Sequence, residues 1–357
     1  MTAGQIQLSD IREADRTPLV AALIEQIAAQ QEQIAKQQEQ IGEFGDEQRA
    51  RLAPQMPHKP ITLTDDETFH AGLMCLVGSE PVSDFLLLEE YAKDRRAETW
   101  DAVIKKALDG LPVELVQMTS DNGRWLVSLA KQWLGVHHSP DLFHPQQDIS
   151  RATSVRLGQK IAEAEKGVAA AQETLEQTKK KAQAPRGVGR PPNHAARIKE
   201  AKEGVEQAKA ELDKARQRKE TLRNEARGIS QSYHPFDPKT GEVRDAETVK
   251  QDINAHFDAI EETADEVGIS SKCWELLQKA RRLVPQMVAT IVFVHRKIAE
   301  TLGQMAVSEQ VKAAMSGYLI PLLYLKEVAR QATTADARDK VLQTCERWQE
   351  RSTQAIA

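Results

Sequence analysis

The sequence predicts an α/β (or α+β) protein in which a mixed sheet is followed by a long antiparallel coiled-coil insertion and an all-α helical region. Apolar runs of strand length lie between residues 60 and 121. From 154 to 230 apolar residues recur in steps of three and four, the period of an α-helix, and prolines and glycines interrupt this series once. Helical periodicity returns at 245 and continues through the rest of the sequence.

The composition favours extended helices over a large compact core. The chain has 357 residues, of which 28% are charged and only 4% aromatic, and its net charge is −5. No stretch approaches the roughly 18 consecutive apolar residues of a membrane span, and the start lacks an apolar signal segment. The three cysteines are far apart and odd in number, which is typical of reduced thiols in the cytosol. We therefore expect a cytoplasmic protein with no membrane partner.

The N-terminal region, 1–50, carries a short heptad pattern. Apolar residues fall seven apart at Val20, Ile27, Ile34 and Ile41, and the string QQEQI occurs twice. A seven-residue apolar repeat returns to one helix face and favours pairing with another helix. We expect a short coiled coil that makes a homo-oligomer, with a solvated single helix as the alternative.

The region 56–150 has the pattern of a mixed sheet with helices on its faces. Three apolar or β-branched runs follow one another closely, and strands and helices then alternate. Strands are predicted at 60–66, 72–78, 84–90 and 113–121, and helices at 93–110 and 123–135. The string HHSPDLFH at 137–144 is either a short fifth strand or a turn.

The region 151–230 is predicted to be a coiled-coil hairpin, and 231–357 a helical bundle. The hairpin is basic near its tip: residues 179–227 contain 15 Lys and Arg against 7 Asp and Glu, a net charge of +8. The tip at 185–192 resembles half of an AT-hook, a motif that lies in the minor groove, and Arg186 and Arg190 are candidates for binding the DNA backbone. The alternative is an ordinary solvated loop.

Acidic residues lie at the ends of two predicted strands. Asp66, flanked by Asp65 and Glu67, is late in the first strand, and Asp121 directly follows the fourth. If these strands are neighbours, two carboxylates meet at one edge of the sheet, where Mg²⁺ prefers such oxygen ligands. A paired-metal site of this kind supports in-line attack on phosphate. Alternatively, Asp121 caps the helix that starts near Gly123. Strand alternation leaves open whether Asp65 or Asp66 faces the site.

Long strings of this region resemble a family of bacterial insertion-sequence transposases. They are DDETFHAGLMCLVGSEPVSDFLLLEEYAKDRRAETW and LPVELVQMTSDNGRWLVSLAKQWLGVHHSPDLFH, with the helical insertion that follows. The resemblance implies a ribonuclease-H-like catalytic core with a DDE triad of acids that binds Mg²⁺ (or Mn²⁺). It places the first acid at Asp66, in DETF, and the second at Asp121, in TSD, 55 positions later.

The third acid of that family is a glutamate on a later helix, and this chain shows no match for its motif. The surroundings of Glu346 and Glu350 do not resemble it. The chain therefore resembles a truncated or degenerate transposase, in which a missing third carboxylate weakens metal binding.

The string HHSPDLFH offers a second set of polar residues. His137, His138, Asp141 and His144 are either part of a capped turn that leads into a helix or a wall of the site, with Asp141 or His144 beside the metals. A zinc site is disfavoured because no cysteine lies within ligand spacing.

Two functions are compatible with these patterns. The first is DNA transposition by metal-dependent strand cleavage and transfer, in a chain that is truncated or inactive. The alternative is a non-catalytic coiled-coil protein derived from a transposon, which binds DNA or oligomerises. No phosphate-binding glycine loop, GxSxG or HExxH motif is present, so we expect no small-molecule cofactor.

Overall fold

The structure is a computed structural model that describes residues 47–70, 73–183 and 193–356, together with six single positions between 25 and 36. Its contacts divide the chain into two compact units, Met1–Ser139 and Pro140–Ala357. The first unit combines helices with a sheet, and the second is helical. Most of the heptad region lies outside the described residues, so its coiled coil stays a prediction.

A five-stranded mixed sheet forms the centre of the first unit. Its spatial order is β3-β2-β1-β4-β5, and β1 pairs antiparallel with β2 and parallel with β4, while β2 and β3 are antiparallel. The strands are β1 (Lys59–His70), β2 (Leu73–Glu80), β3 (Phe85–Ala92), β4 (Val113–Ser120) and β5 (His137–Pro140). The sheet confirms the predicted α/β class, and it makes the first and fourth strands neighbours, which the sequence had left open.

Two helices cover one face of this sheet. They are α1 (Ala97–Leu108) and α2 (Arg124–Ser128), which continues as a π-helical turn over Leu129–Trp133. Residues 47–52 are also helical and lead into a 3₁₀ turn at Ala53–Gln55. The core between helices and sheet consists of buried Leu63, Leu76, Leu88, Trp100, Ile104, Met118, Leu126, Leu129 and Ala130.

Alternation along β1 decides which residues point toward this core. Ile61, Leu63 and Asp65 are buried, whereas Asp66 is exposed. Successive side chains of a strand point to opposite faces, so residues 61, 63, 65, 67 and 69 share the face covered by the helices. The register places Asp65 opposite Gly78 of β2. A Cβ on Gly78 would lie 2.9 Å from Leu63 Cδ1, so only glycine fits this close contact.

Two long antiparallel helices begin the second unit. They are α3 (Phe143–Gln183) and α4 (His194–Ser232). Arg216 Nη2 donates to Glu165 Oε1 at 3.0 Å, and Gln146 near the start of α3 bonds Ser230 near the end of α4, as an antiparallel pair requires. Arg186 and Arg190, at the predicted tip, lie outside the described residues.

The remaining described residues of the second unit form shorter helices. These are α5 (Ala246–Val267), α6 (Ser271–Arg281), α7 (Val284–Gln304), α8 (Glu309–Ala314) with a π-helical turn at Met315–Leu319, α9 (Ile320–Gln331) and α10 (Ala335–Ile356). Pro285 lies in the first turn of α7, where its missing N–H costs no helical bond. One apolar core joins α3 and α4 to the helices after them, with Leu157, Leu222 and Phe257 among its members. Within the described part of the chain, no helix has the length and apolarity to cross a membrane.

Candidate functional site

Asp65 is a buried carboxyl group near the middle of the sheet. Its exposed fraction is 3%, and neither of its carboxylate oxygens has a hydrogen-bond partner among the described residues. Burial is the main cause that raises the pKa of Asp65 well above its usual range, and the neighbouring charge of Asp121 adds to it. A buried polar group without a partner is rare in folded proteins, so Asp65 is a candidate for binding something that the chain itself does not supply.

Asp66, which the resemblance indicated as the first acid, points away from this position. It is exposed, on the opposite face of the sheet, and its Oδ1 accepts a hydrogen bond from the backbone N–H of Glu67 at 2.8 Å. Of the two, Asp65 is the one whose side chain shares a face with the core and lies near enough to Asp121 for their charges to interact. The role that the resemblance implied for Asp66 stays a prediction, and the position of Asp65 makes it the alternative.

Asp121 directly follows β4, beside the central strand β1. The parallel register runs up to the pair Thr64 and Thr119, one residue before Asp65 and two before Asp121. Asp121 Oδ1 accepts a hydrogen bond from the backbone N–H of Gly123 at 2.9 Å, at the start of α2. This bond fixes the orientation of the carboxylate, but it is not a helix cap, because the N-cap residue of α2 is Gly123 and not Asp121.

Three residues that the sequence analysis did not single out lie next to this pair. Glu67, two positions after Asp65 on the same strand face, accepts hydrogen bonds from Trp125 Nε1 at 3.0 Å and from Arg95 Nη1 at 3.2 Å. The Arg95 guanidinium also lies 4.2 Å from the centre of the Trp125 ring. The three side chains hold the end of β1, the segment after β3 and the start of α2 together. Glu67 could have been found from the sequence, because residues two apart on a strand share a face and Glu67 is two positions after Asp65.

The string HHSPDLFH contributes to two separate local structures. In β5, buried His138 places Nε2 2.9 Å from Ser120 Oγ, and Gln117 Nε2 donates to Ser139 Oγ at 2.6 Å, so β5 is fastened to β4. In the second unit, Asp141 Oδ1 accepts from the backbone N–H of His144 at 3.0 Å, and its Oδ2 lies 2.8 Å from His144 Nδ1. These contacts are those of the predicted capped turn before a helix.

A Ser-His-Glu chain in the second unit was also not predicted. His256 Nδ1 lies 2.7 Å from Glu225 Oε2, and His256 Nε2 lies 3.2 Å from Ser232 Oγ. The order of the three groups is that of a hydrolase triad. Ser232 is buried at the end of α4, and Glu225 lies on the same helix, while His256 lies on α5. We interpret the chain as a bridge between α4 and α5.

A scan against models of protein families and a search among curated proteins gave no match for this chain. Function is therefore argued from the geometry of the site and from the resemblance noted above.

The donor set at the sheet fits a hard divalent cation. Asp65 and Asp121 supply carboxylate oxygens, and Mg²⁺ is commonly held by one or two carboxylates together with water and substrate phosphates. Among residues 47–70, 73–183 and 193–356, no group of three or more His, Cys, Asp or Glu is arranged to hold a metal ion. Glu346 and Glu350 lie on α10 of the second unit. A complete DDE triad is thus not found in the described residues, and substrate oxygens would have to complete the coordination.

The three cysteines are free thiols, with Cys75 and Cys345 buried and Cys273 half-buried. Cys75 lies in β2, as expected of a core residue. Among the described residues, no hydrogen bond joins any of the three cysteines to Asp65 or Asp121.

Proposed function

We propose that this chain is a transposase-like protein of the DDE class that cleaves and transfers DNA strands with the help of Mg²⁺ (or Mn²⁺). The observation that carries the proposal is buried Asp65, whose carboxylate oxygens have no partner among the described residues, next to Asp121 at the end of a neighbouring parallel strand. The sheet order β3-β2-β1-β4-β5 is compatible with a ribonuclease-H-like core. The role that the resemblance implied for Asp66 passes to Asp65.

In this proposal Asp65 and Asp121 hold the metal ion. When bound, such an ion activates a water or hydroxyl group and stabilises the charge that develops on the phosphate. The Gly123 N–H keeps the Asp121 carboxylate in one orientation, since it occupies one of the two oxygens. The burial of Asp65 excludes water from its carboxylate, so the aspartate attracts a cation more strongly than an exposed one would.

DNA is the proposed partner, and the basic hairpin supports this choice. Residues 179–227 carry a net charge of +8 in a chain whose total is −5. Neutralising phosphates with lysine and arginine supplies most of the sequence-independent affinity for DNA. Arg186 and Arg190 stay proposed contacts to the DNA backbone, and the N-terminal heptad stays the proposed site of self-association, in a protein of the cytoplasm.

A metal-dependent cleavage assay on supercoiled plasmid tests the proposal, with Asp65→Asn, Asp121→Asn and Asp66→Asn as variants. Asparagine at 121 can still accept the Gly123 N–H, so it removes the charge and keeps this hydrogen bond. We expect nicking by the natural chain with Mg²⁺ or Mn²⁺, its loss in the first two variants, and its retention in Asp66→Asn. Cleavage that survives Asp65→Asn but not Asp66→Asn would refute the assignment.

One observation favours a second candidate, a non-catalytic DNA-binding or oligomerisation protein derived from a transposon. It is that the described residues contain no three-ligand metal group. DNA binding without cleavage under any divalent metal in the same assay would select this candidate.

A further inference from the structure

A groove of about 640 Å³ lies beside the candidate metal site in the first unit. Its floor is apolar, with Leu73, Met74 and Ala92 at the ends of β2 and β3. Its rim combines aromatic and cationic side chains: Phe69, Lys93, Arg95, Arg96 and Trp125, with Asp94 between the cations. An apolar floor with a few charged groups at the rim is the usual form of a small-ligand site.

Phe69 is the first side chain that suits a planar ligand. Its ring is 67% exposed at the end of β1, on the strand face that also carries Asp65 and Glu67. Four residues separate Phe69 from Asp65, which corresponds to about 13 Å along the strand. The groove is therefore adjacent to the metal site but does not overlap it.

Arg95 is the second side chain of the groove that suits a planar ligand. Its guanidinium carbon lies 4.2 Å from the centre of the Trp125 ring and its Nη1 pairs with Glu67, while about half of its side chain, 53%, remains exposed. Its guanidinium is thus preorganised, and its outer surface can stack on a base, because nucleobases stack on arginine planes as well as on aromatic rings. Preorganisation of this kind lowers the entropy cost of binding.

The remaining cations indicate which ligand the groove fits. Arg96 is paired with Asp94, while Lys93 makes no ion pair with any residue that the structure describes. Lys93 is exposed beside the apolar floor and can pair with a phosphate. An aromatic ring, a stacked guanidinium and a lysine beside an apolar floor together match a base joined to its phosphate.

We propose that this groove binds an unpaired nucleotide of the DNA strand next to the phosphate that reacts. The base contacts Phe69 and the guanidinium of Arg95, and the phosphate pairs with Lys93. This inference rests on the proposed function for the identity of the strand, and it adds that the chain distinguishes frayed or single-stranded DNA ends from blunt duplex.

Binding to labelled DNA by the full chain, in EDTA so that no cleavage occurs, tests the groove. The two probes are a blunt duplex and the same duplex with a three-nucleotide overhang, in which 2-aminopurine replaces the first unpaired base. We expect tighter binding of the overhang, with quenching of the 2-aminopurine by stacking. Phe69→Ala should weaken overhang binding roughly 5- to 100-fold and abolish the quenching, because one stacked base contributes about that much.

The matched control is Phe85→Ala. Phe85 is similarly exposed, at 62%, but begins β3 and does not line the groove. Lys93→Ala should weaken overhang binding and reduce its salt dependence.

The outcomes separate the two proposals. The proposal that the groove binds an unpaired nucleotide would be refuted by equal effects of Phe69→Ala and Phe85→Ala, or by equal affinity for the two probes. Either result would refute it even if the chain cleaves DNA. A Phe69-dependent preference for the overhang in a chain that cleaves no DNA would support the groove and refute the transposase proposal. A preference for single-stranded RNA over the DNA overhang would overturn DNA as the ligand.

Discussion

Asp65 lowers the stability of the metal-free protein. A carboxylate that loses water and gains no hydrogen bond destabilises the folded state when it is ionised. Burial raises the pKa of Asp65 above the value of about 3.9 that an unfolded chain has. Between those two pKa values the folded protein binds a proton that the unfolded chain has lost, so stability falls as the pH rises through this interval. A cation shared with Asp121 would oppose the effect.

Asp65→Asn should therefore stabilise the protein in EDTA. At pH 7 we expect the free energy of unfolding to rise by roughly 1–3 kcal/mol, because asparagine is still polar but carries no charge for the buried position to destabilise. The gain should shrink at pH 4, where Asp65 is protonated in the folded state. Urea denaturation at the two pH values measures both quantities.

The control for Asp65→Asn is the same substitution at the neighbouring residue, Asp66. Asp66→Asn removes the same charge from an exposed position and should change the free energy of unfolding by less than about 0.5 kcal/mol. A destabilised Asp65→Asn protein at pH 7 would contradict the account.

Sequence reasoning singled out Asp121 and the acids around Asp65, which the structure places on or directly after neighbouring strands. The acids in TDDET and the aspartate of TSD were both visible, but spacing alone left open whether the first and fourth strands are neighbours. Asp65 could not be separated from Asp66 because both faces of β1 carry polar side chains beyond Leu63, so alternation was ambiguous there. The partners of Glu67 come from other elements, Arg95 after β3 and Trp125 in α2, and no local pattern encodes such contacts.

Among the helices, the contact of α4 with α5 depends on the absence of a side chain at Gly228. A Cβ built there would lie 2.2 Å from His256 Cε1, and His256 bridges the two helices through Glu225 and Ser232. The imidazole fills the space that the glycine leaves, so the two helix backbones approach closely at this position.

Gly228→Ala should destabilise the second unit by about 1–3 kcal/mol, the usual cost of overpacking a filled site. Gly204→Ala in the same helix is the control: a Cβ there meets nothing within 4 Å, so alanine should raise stability by about 0.5–1 kcal/mol through its better helix propensity. Thermal unfolding followed by circular dichroism measures both. If the unfolding temperature shifts in the same direction in both variants, helix propensity and not the His256 contact determines the effect of alanine at position 228.

Element types were predictable where the periodicity was long, and boundaries were less so. The strands and the two long helices appear where apolar spacing indicated them. Helix α3 starts at Phe143, about ten residues before its apolar pattern, because Asp141 caps its first turn and Pro145 is tolerated there. The predicted helix at 123–135 ends in a π-helical turn, which no spacing rule anticipated.

At the scale of the whole chain, the second unit combines regions that the sequence suggested were separate. The helix pair and the later helices share one core, in which Leu157 and Leu222 pack with Phe257 and Leu277. Periodicity identifies the apolar face of each helix but not the partner that covers it, which explains why the shared core was not foreseen. The dimer-forming heptad and the DNA contacts of Arg186 and Arg190 stay predictions.

The pairing of β1 with β4 determines when the two aspartates meet during folding. It joins residues 54 positions apart, as in the pair Lys59 and Val113, whereas β1 meets β2 through a short connection. Closing a long loop costs more chain entropy than closing a short one, so the β1-β2-β3 meander should form before β4 docks. Pulse-labelled hydrogen exchange during refolding should find the amides of those three strands protected earlier than those of β4, and simultaneous protection would exclude this order. A nascent or partly refolded chain then lacks one of the two carboxylates of the proposed cation centre, so the proposed nuclease activity would appear only after synthesis and folding have passed β4.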